Sequence, residues 1–180
     1  RPFQTVAAAD AADAANQRIF VFSGTYTSGI TLNSGEWLIG QGVSGASFDA
    51  VFGITPPLGT IARPSIGGTR PTLQNTVTMD TNSQVKGLNI ASTTNTGITA
   101  SGKTGLVTGE VSVTTTTGAA ANFANSGGTL SFTSISANGG TNGIVLNNTT
   151  GSFTVTGTGA AGSGGTIQNM TGLDGATDGI

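Results

Sequence analysis

The sequence predicts an all-β solenoid, a parallel β-helix with coils of about 21–24 residues and a short N-terminal capping helix. Three observations carry that expectation: an unusual composition, two interleaved repeat registers, and corners rich in Gly and Asn. Only 8% of the 180 residues are charged, against roughly 25% in an ordinary domain, and 30 are glycine. So few charges among so many small polar residues would suit a disordered chain. The apolar residues, however, are spaced too regularly for disorder.

The first register is a set of apolar–polar–apolar triplets. They are Ile30-Thr31-Leu32, Val77-Thr78-Met79, Ile98-Thr99-Ala100, Ala121-Asn122-Phe123 and Ile144-Val145-Leu146, and a sixth starts at Ile180. From Val77 to Ile144 the starts lie 21, 23 and 23 residues apart. In the second register Val85, Leu88 and Ile90 align with Thr108, Val111 and Val113, then with Phe132, Ile135 and Ala137. Asn89, Ser112 and Ser136 fall between the last two apolar positions, as period-2 alternation requires. These positions, with Phe153, form the expected inward ladder. One coil cannot bury its own inward face, so neighbouring coils must stack. Connections such as Ala137-Asn138-Gly139-Gly140-Thr141-Asn142-Gly143 supply residues that tolerate positive φ at the corners.

The interval from Ile30 to Val77 is longer than one coil, and residues 43–70 hold the excess. Pro56, Pro57 and Pro64 lie there with Pro71 just beyond, and Pro disfavours central strands. An insertion loop packed on the coils is expected, with a whole extra coil as the competing reading. Thr166-Ile167-Gln168-Asn169 echoes Thr72-Leu73-Gln74-Asn75 and suggests a third strand class. Residues 1–18 read as a cap, with a helical stretch over Val6 to Ala15 and Thr5 as its N-cap. Such a helix would cover the first coil's open interior, whereas the end at Ile180 reads as a bare edge. Arg1-Pro2-Phe3 has neither an initiator Met nor a signal-peptide core, as in a processed or excised segment.

The order of an Ala-rich helix, IFVFSGTYTSGITL, LIGQGV, RPTLQN, VKGLNI, FTSIS, NGIVLNN, GSFTVTG and GGTIQNMTG resembles the N-terminal part of bacterial right-handed parallel β-helix repeat proteins of pectin-lyase-like architecture. The resemblance covers nearly the whole chain. It implies a right-handed coil, a longer parent protein and a secreted or cell-surface location, with the export signal outside this segment. Its motifs specify the fold and leave the activity open.

Few chemistries have the residues they need. There is no His and no Cys, which removes the usual general base, thiolate and metal ligands. A net charge of −2, with six scattered basic residues, gives no footprint for nucleic acid, and no apolar run is long enough for membrane insertion. Gly97-Ile98-Thr99-Ala100-Ser101-Gly102-Lys103-Thr104 spells a P-loop, but the β pattern of Gly105 to Val113 follows it instead of a helix. A coil corner is expected there, so no cofactor is expected.

Sugar hydrolysis needs two neighbouring carboxyl groups. Asp10 and Asp13 fall on the cap, Glu36 and Asp80 on adjacent coils in different registers, and Glu110 a coil later; no catalytic set emerges. Two rings are candidate glycan contacts: Tyr26, in a turn-rich stretch, and Trp37, which aligns with the inward Val85. Phe123, Phe132 and Phe153 read as core. A Thr ladder of the ice-binding kind breaks after Thr78 and Thr99, where Asn122 and Val145 follow.

The expected function is an extracellular structural or adhesive module, stacking end to end into fibres. Its expected partners are other copies of itself, or further coils of a longer chain at the C-terminal edge. The alternative is a polysaccharide-binding or polysaccharide-degrading β-helix whose groove lies partly outside this segment.

Overall fold

The computed structural model describes residues 3–92 and 94–171 as a right-handed parallel β-helix of about six turns. Each turn visits three faces. A helix, α1 (Val6–Asp10), precedes the first turn, which contains β1 (Arg18–Val21), β2 (Thr25–Tyr26) and β3 (Ile30–Thr31). The second turn has β4 (Trp37–Gly40), then the helix α2 (Phe48–Phe52), then β5 (Thr72–Leu73) and β6 (Val77–Thr78). The third has β7 (Gln84–Lys86), β8 (Asn89–Ser92) and β9 (Ile98–Ser101). In the fourth and fifth turns one long strand serves two faces: β10 (Leu106–Thr115) is followed by β11 (Ala121–Ala124), and β12 (Gly127–Asn138) by β13 (Ile144–Asn147). The sixth has β14 (Thr150–Val155) and β15 (Ile167–Gln168).

All pairings are parallel, and the first register is reproduced residue for residue. Ile30 pairs with Val77, Val77 with Ile98, Ile98 with Ala121, and Ala121 with Ile144. These strands form one five-stranded sheet, and the other two faces join through β10 and β12 into a ten-stranded sheet. Of the expected inward ladder, Ile30, Leu32, Val77, Met79, Val85, Leu88, Ile90, Ile98, Val111, Val113, Phe123, Phe132, Ile135 and Ile144 are buried in one core. Phe153 is half-buried against Phe123 and Phe132, with ring centroids 6.4 and 5.2 Å away. Leu146 departs from the ladder: it is 37% exposed in the last strand of its sheet, with no described strand stacked beyond it.

The second register needs correction at its third coil. Thr108 pairs with Leu130 and Val113 with Ile135, two residues away from the alignment read in the sequence, and Val111 at the bulge pairs with Phe132, three away. A two-residue slip keeps every side chain on its own face, so alternation cannot detect it. The ladder also carries a local bulge: the β10–β12 register shifts on either side of Val111, next to Glu110, which has φ of 55°, and the two shifts cancel, leaving the same offset before and after. Inward Thr108 mends the ladder there. Its hydroxyl accepts the Ser131 N–H at 2.8 Å and donates to the Ser131 carbonyl at 2.9 Å.

Three further expectations change. The helix spans Val6–Asp10 rather than reaching Ala15, although Thr5 caps it as read, its Oγ1 accepting the Ala8 N–H at 3.1 Å. The Thr72 and Thr166 segments are not a separate strand class, because β5 and β15 lie on the face already occupied by Ile90 and Val113. Trp37 is not inward: it pairs with Gln84, and Leu38 pairs with Val85. Ile180 lies outside the described residues.

Residues 43–70 leave the coil between β4 and β5, and β4 pairs directly with β7. They build a second apolar cluster on the outer face of the first turns. Ile39, Val43 and Phe52 are its buried centre, with Phe20, Trp37, Phe48 and Ile66 packed against them. Phe48 and Phe52 stack at 4.4 Å, and Phe20 meets Phe48 edge-on at 5.1 Å. Ser44 ties the segment to the solenoid, donating its N–H and Oγ–H to the Glu110 carboxylate at 2.9 and 2.7 Å.

Candidate functional site at the capped end

β1 is the terminal strand of its sheet. Its Gln17 and Val21 carbonyls accept from Trp37 N–H at 2.9 Å and Gln41 N–H at 2.8 Å. In a parallel ladder the alternate residues, Arg18, Phe20 and Phe22, therefore turn their backbone groups the other way. On that side Tyr26 Oη donates to the Phe22 carbonyl at 3.0 Å. α1 crosses the same end, burying Val6 and Ala9 in the core. Between α1 and β1 lies a cleft of about 250 Å³, edged by Phe3, Phe20, Phe22, Tyr26, Gln17 and Arg18. Phe3 and Phe22 are exposed at its rim. The Arg18 guanidinium sits 4.5 Å from the centre of the Trp37 ring, a cation–π contact.

Beneath the cap lies a buried polar cluster. Asn33 N–H donates to Glu36 Oε2 at 2.8 Å, and Asn33 Nδ2 donates to Asp13 Oδ1 at 2.7 Å. The other two oxygens, Glu36 Oε1 and Asp13 Oδ2, are buried and meet no N–H or O–H. The two carboxyls share the Asn33 side chain as donor, at 2.7 Å from Asp13 and 3.4 Å from Glu36, and a buried carboxyl oxygen without a donor favours the protonated form. Burial, reinforced by the neighbouring Asp13 carboxyl, pushes the Glu36 carboxyl up to about 7. Glu36 is fully buried and does not line the cleft, whereas Asp13 lies at its wall.

The expected glycan contacts separate. Tyr26 borders the cleft, half-buried, whereas Trp37 is held on the outer face by Arg18 and the second apolar cluster. Glu36 and Asp80 do not meet. Lys103 Nζ pairs with Asp80 Oδ2 at 2.8 Å and holds that carboxyl below its usual range. The P-loop-like stretch is β9 and a corner, with Ile98 and Ala100 buried and β10 following. Among the described residues no three His, Cys, Asp or Glu side chains gather to hold a metal ion. No described helix is long and apolar enough to cross a membrane.

The Asp13–Glu36 pair was hidden in the sequence by a one-residue error of phase. With Trp37 inward, Glu36 would face solvent; with Leu38 inward, alternation places Glu36 inside as well. That parity was the available signal. Comparison with known proteins finds no matching family model, no matching curated protein and no matching solved structure.

Proposed function

We propose that this chain is a structural or adhesive β-helix module of an exported bacterial protein, acting outside the cell or on its surface. The observation that supports this reading is the continuity of the stack. Five strands stay in register from Ile30 to Ile144, and their outward positions Thr31, Thr78, Thr99, Asn122 and Val145 are small and uncharged. Such a stack is a stiff spacer with a smooth wall. Displayed on a non-adherent bacterium, the chain should increase retention on protein- or glycan-coated surfaces; retention equal to that of the display scaffold alone overturns the reading.

Further coils, or other copies of the chain, would add at the end remote from α1, where Leu146 and Val155 are exposed. A strand edge there is a template for pairing. α1 occupies the other end, so end-to-end growth into fibres would require the cap to move aside. A strict monomer in sedimentation velocity at high concentration would rule out self-stacking.

The aromatic-edged cleft favours a second reading, polysaccharide binding. Saturable binding on a glycan array that is lost in Tyr26→Ala would support it. Release of reducing sugar or unsaturated product would extend it to cleavage.

A further inference from the structure

We propose that the Asp13–Glu36 carboxyl pair, bridged by Asn33, is a proton-operated latch, holding the N-terminal cap on the first coil and releasing it when Glu36 loses its proton. The inference concerns the fold alone and does not depend on an adhesive role.

The cap needs such a latch because it cannot hold its own shape. α1 is five residues long, well short of the length at which an isolated helix is stable. It is placed by burial of Val6 and Ala9 and by ties to residues 31–36. Asp10 Oδ1 accepts the Thr31 N–H at 3.0 Å, Asn33 bonds Asp13, and Asn16 N–H donates to the Ser34 carbonyl at 2.9 Å. Only the Asp13 tie leads into a buried acid.

Loss of the Glu36 proton would leave a buried carboxylate beside Asp13, with Asn33 as the donor to both. The neighbouring charges give no relief. Asp10, on α1, is itself acidic and already engaged by Thr31. Arg18, on β1, stacks on Trp37. In the next coil Asp80 stands at the position of Asn33, and its charge is matched by Lys103. Glu36 cannot retreat, because its residue is built into the coil: its carbonyl accepts the Gln84 N–H at 2.9 Å. Asp13 belongs to the partly exposed cap, so the cap is the part that moves. Its departure would uncover the free edge of β1 and the core beneath Val6.

The raised Glu36 value sets the window. A carboxyl whose folded value lies above its free value stabilises the closed cap fully in acid, and that stabilisation is lost as pH rises through about 7. If opening returns Glu36 to its free value, the opening constant rises on the order of 100-fold between pH 5 and pH 8 and then levels off.

Hydrogen exchange of the amides of residues 8–16, corrected for intrinsic rates, reads this directly, and the single Trp, adjacent to Glu36, gives a parallel fluorescence titration. Protection should fall steeply from pH 5 to pH 7 in the unaltered chain. Glu36→Gln should keep the cap closed without titrating. Asp13→Asn, which can donate an N–H to an ionised Glu36, should remove the pH dependence even if Glu36→Gln folds poorly. Equal protection at pH 5 and pH 8, or unchanged pH dependence in a folded variant of either residue, overturns the latch.

Discussion

Left-handed corners show how one side chain dictates the residue stacked on it. Asn16, Gly35, Asn82 and Gly105 each sit two residues before mutually paired positions, with φ of 66, 73, 59 and 68°. Asn tolerates that region through its short polar side chain, and Gly lacks the Cβ that opposes it. The alternation of the two has a packing cause: a Cβ added at Gly105 would lie 2.1 Å from Asn82 Oδ1. Gly102 has the same φ of 68° and nothing within 4 Å of an added Cβ. Gly105→Ala should therefore cost about 2–4 kcal/mol in urea unfolding, from strain plus overlap, and Gly102→Ala only about 1–2 kcal/mol. Gly102→Asn should be better tolerated than Gly102→Ala, because Asn125 and Asn148 hold the equivalent corner in the next two coils. Thr108→Val, nearly the same shape, should cost about 1–3 kcal/mol by leaving both backbone groups of Ser131 without the hydroxyl that serves them.

Strand elements were legible where each turn keeps its length and obscure where it does not. The Ile30 register could be read because, from Val77 to Ile144, its triplets start 21, 23 and 23 residues apart. β10 and β12 could not be aligned, because registers two residues apart place the same alternation on the same face. Glu110 combines two opposed effects, a left-handed backbone that Gly would adopt more easily and a carboxylate that anchors Ser44. Glu110→Ala loses the anchor and keeps the strain, whereas Glu110→Gly loses the anchor and relieves it. The Gly variant should be the more stable by about 1 kcal/mol, and thermal unfolding of the pair checks this. The helix was over-read for a related reason. Ala propensity favours ten residues, but Asp13 and Asn16 are drawn to the first coil, so the helix ends at Asp10.

At the scale of the whole molecule each coil depends on its neighbours, so damage at mid-stack should spread along the axis. Phe132→Ala, in the fifth turn, should cost about 3–5 kcal/mol and lower hydrogen-exchange protection in β10 and β14 more than in β1 and β4. Stability should also depend on pH from two sides. Asp80, held low by Lys103, contributes stability that is present above the free carboxyl value and lost as pH falls through its own. Glu36, held high, contributes stability that is lost as pH rises towards about 7. Thermal unfolding should thus be most resistant in mild acid. Lys103→Met should flatten the acid limb and Glu36→Gln the limb towards neutrality; a midpoint higher at pH 8 than at pH 5 would contradict the Glu36 assignment.

The sequence by itself determined the solenoid, the number of residues per coil, the pairing of the Ile30 ladder and the presence of a capped beginning. Those properties follow from period-2 alternation and repeat length, which are local and periodic, so they survive in one dimension. Only the tertiary structure decided the offset of β12, the outward setting of Trp37 and the meeting of Asp13 with Glu36. Each depends on how the cap, a coil and a bulge come together in space. Two carboxyls 23 positions apart carry no mark of one another until folding buries them around a single Asn side chain.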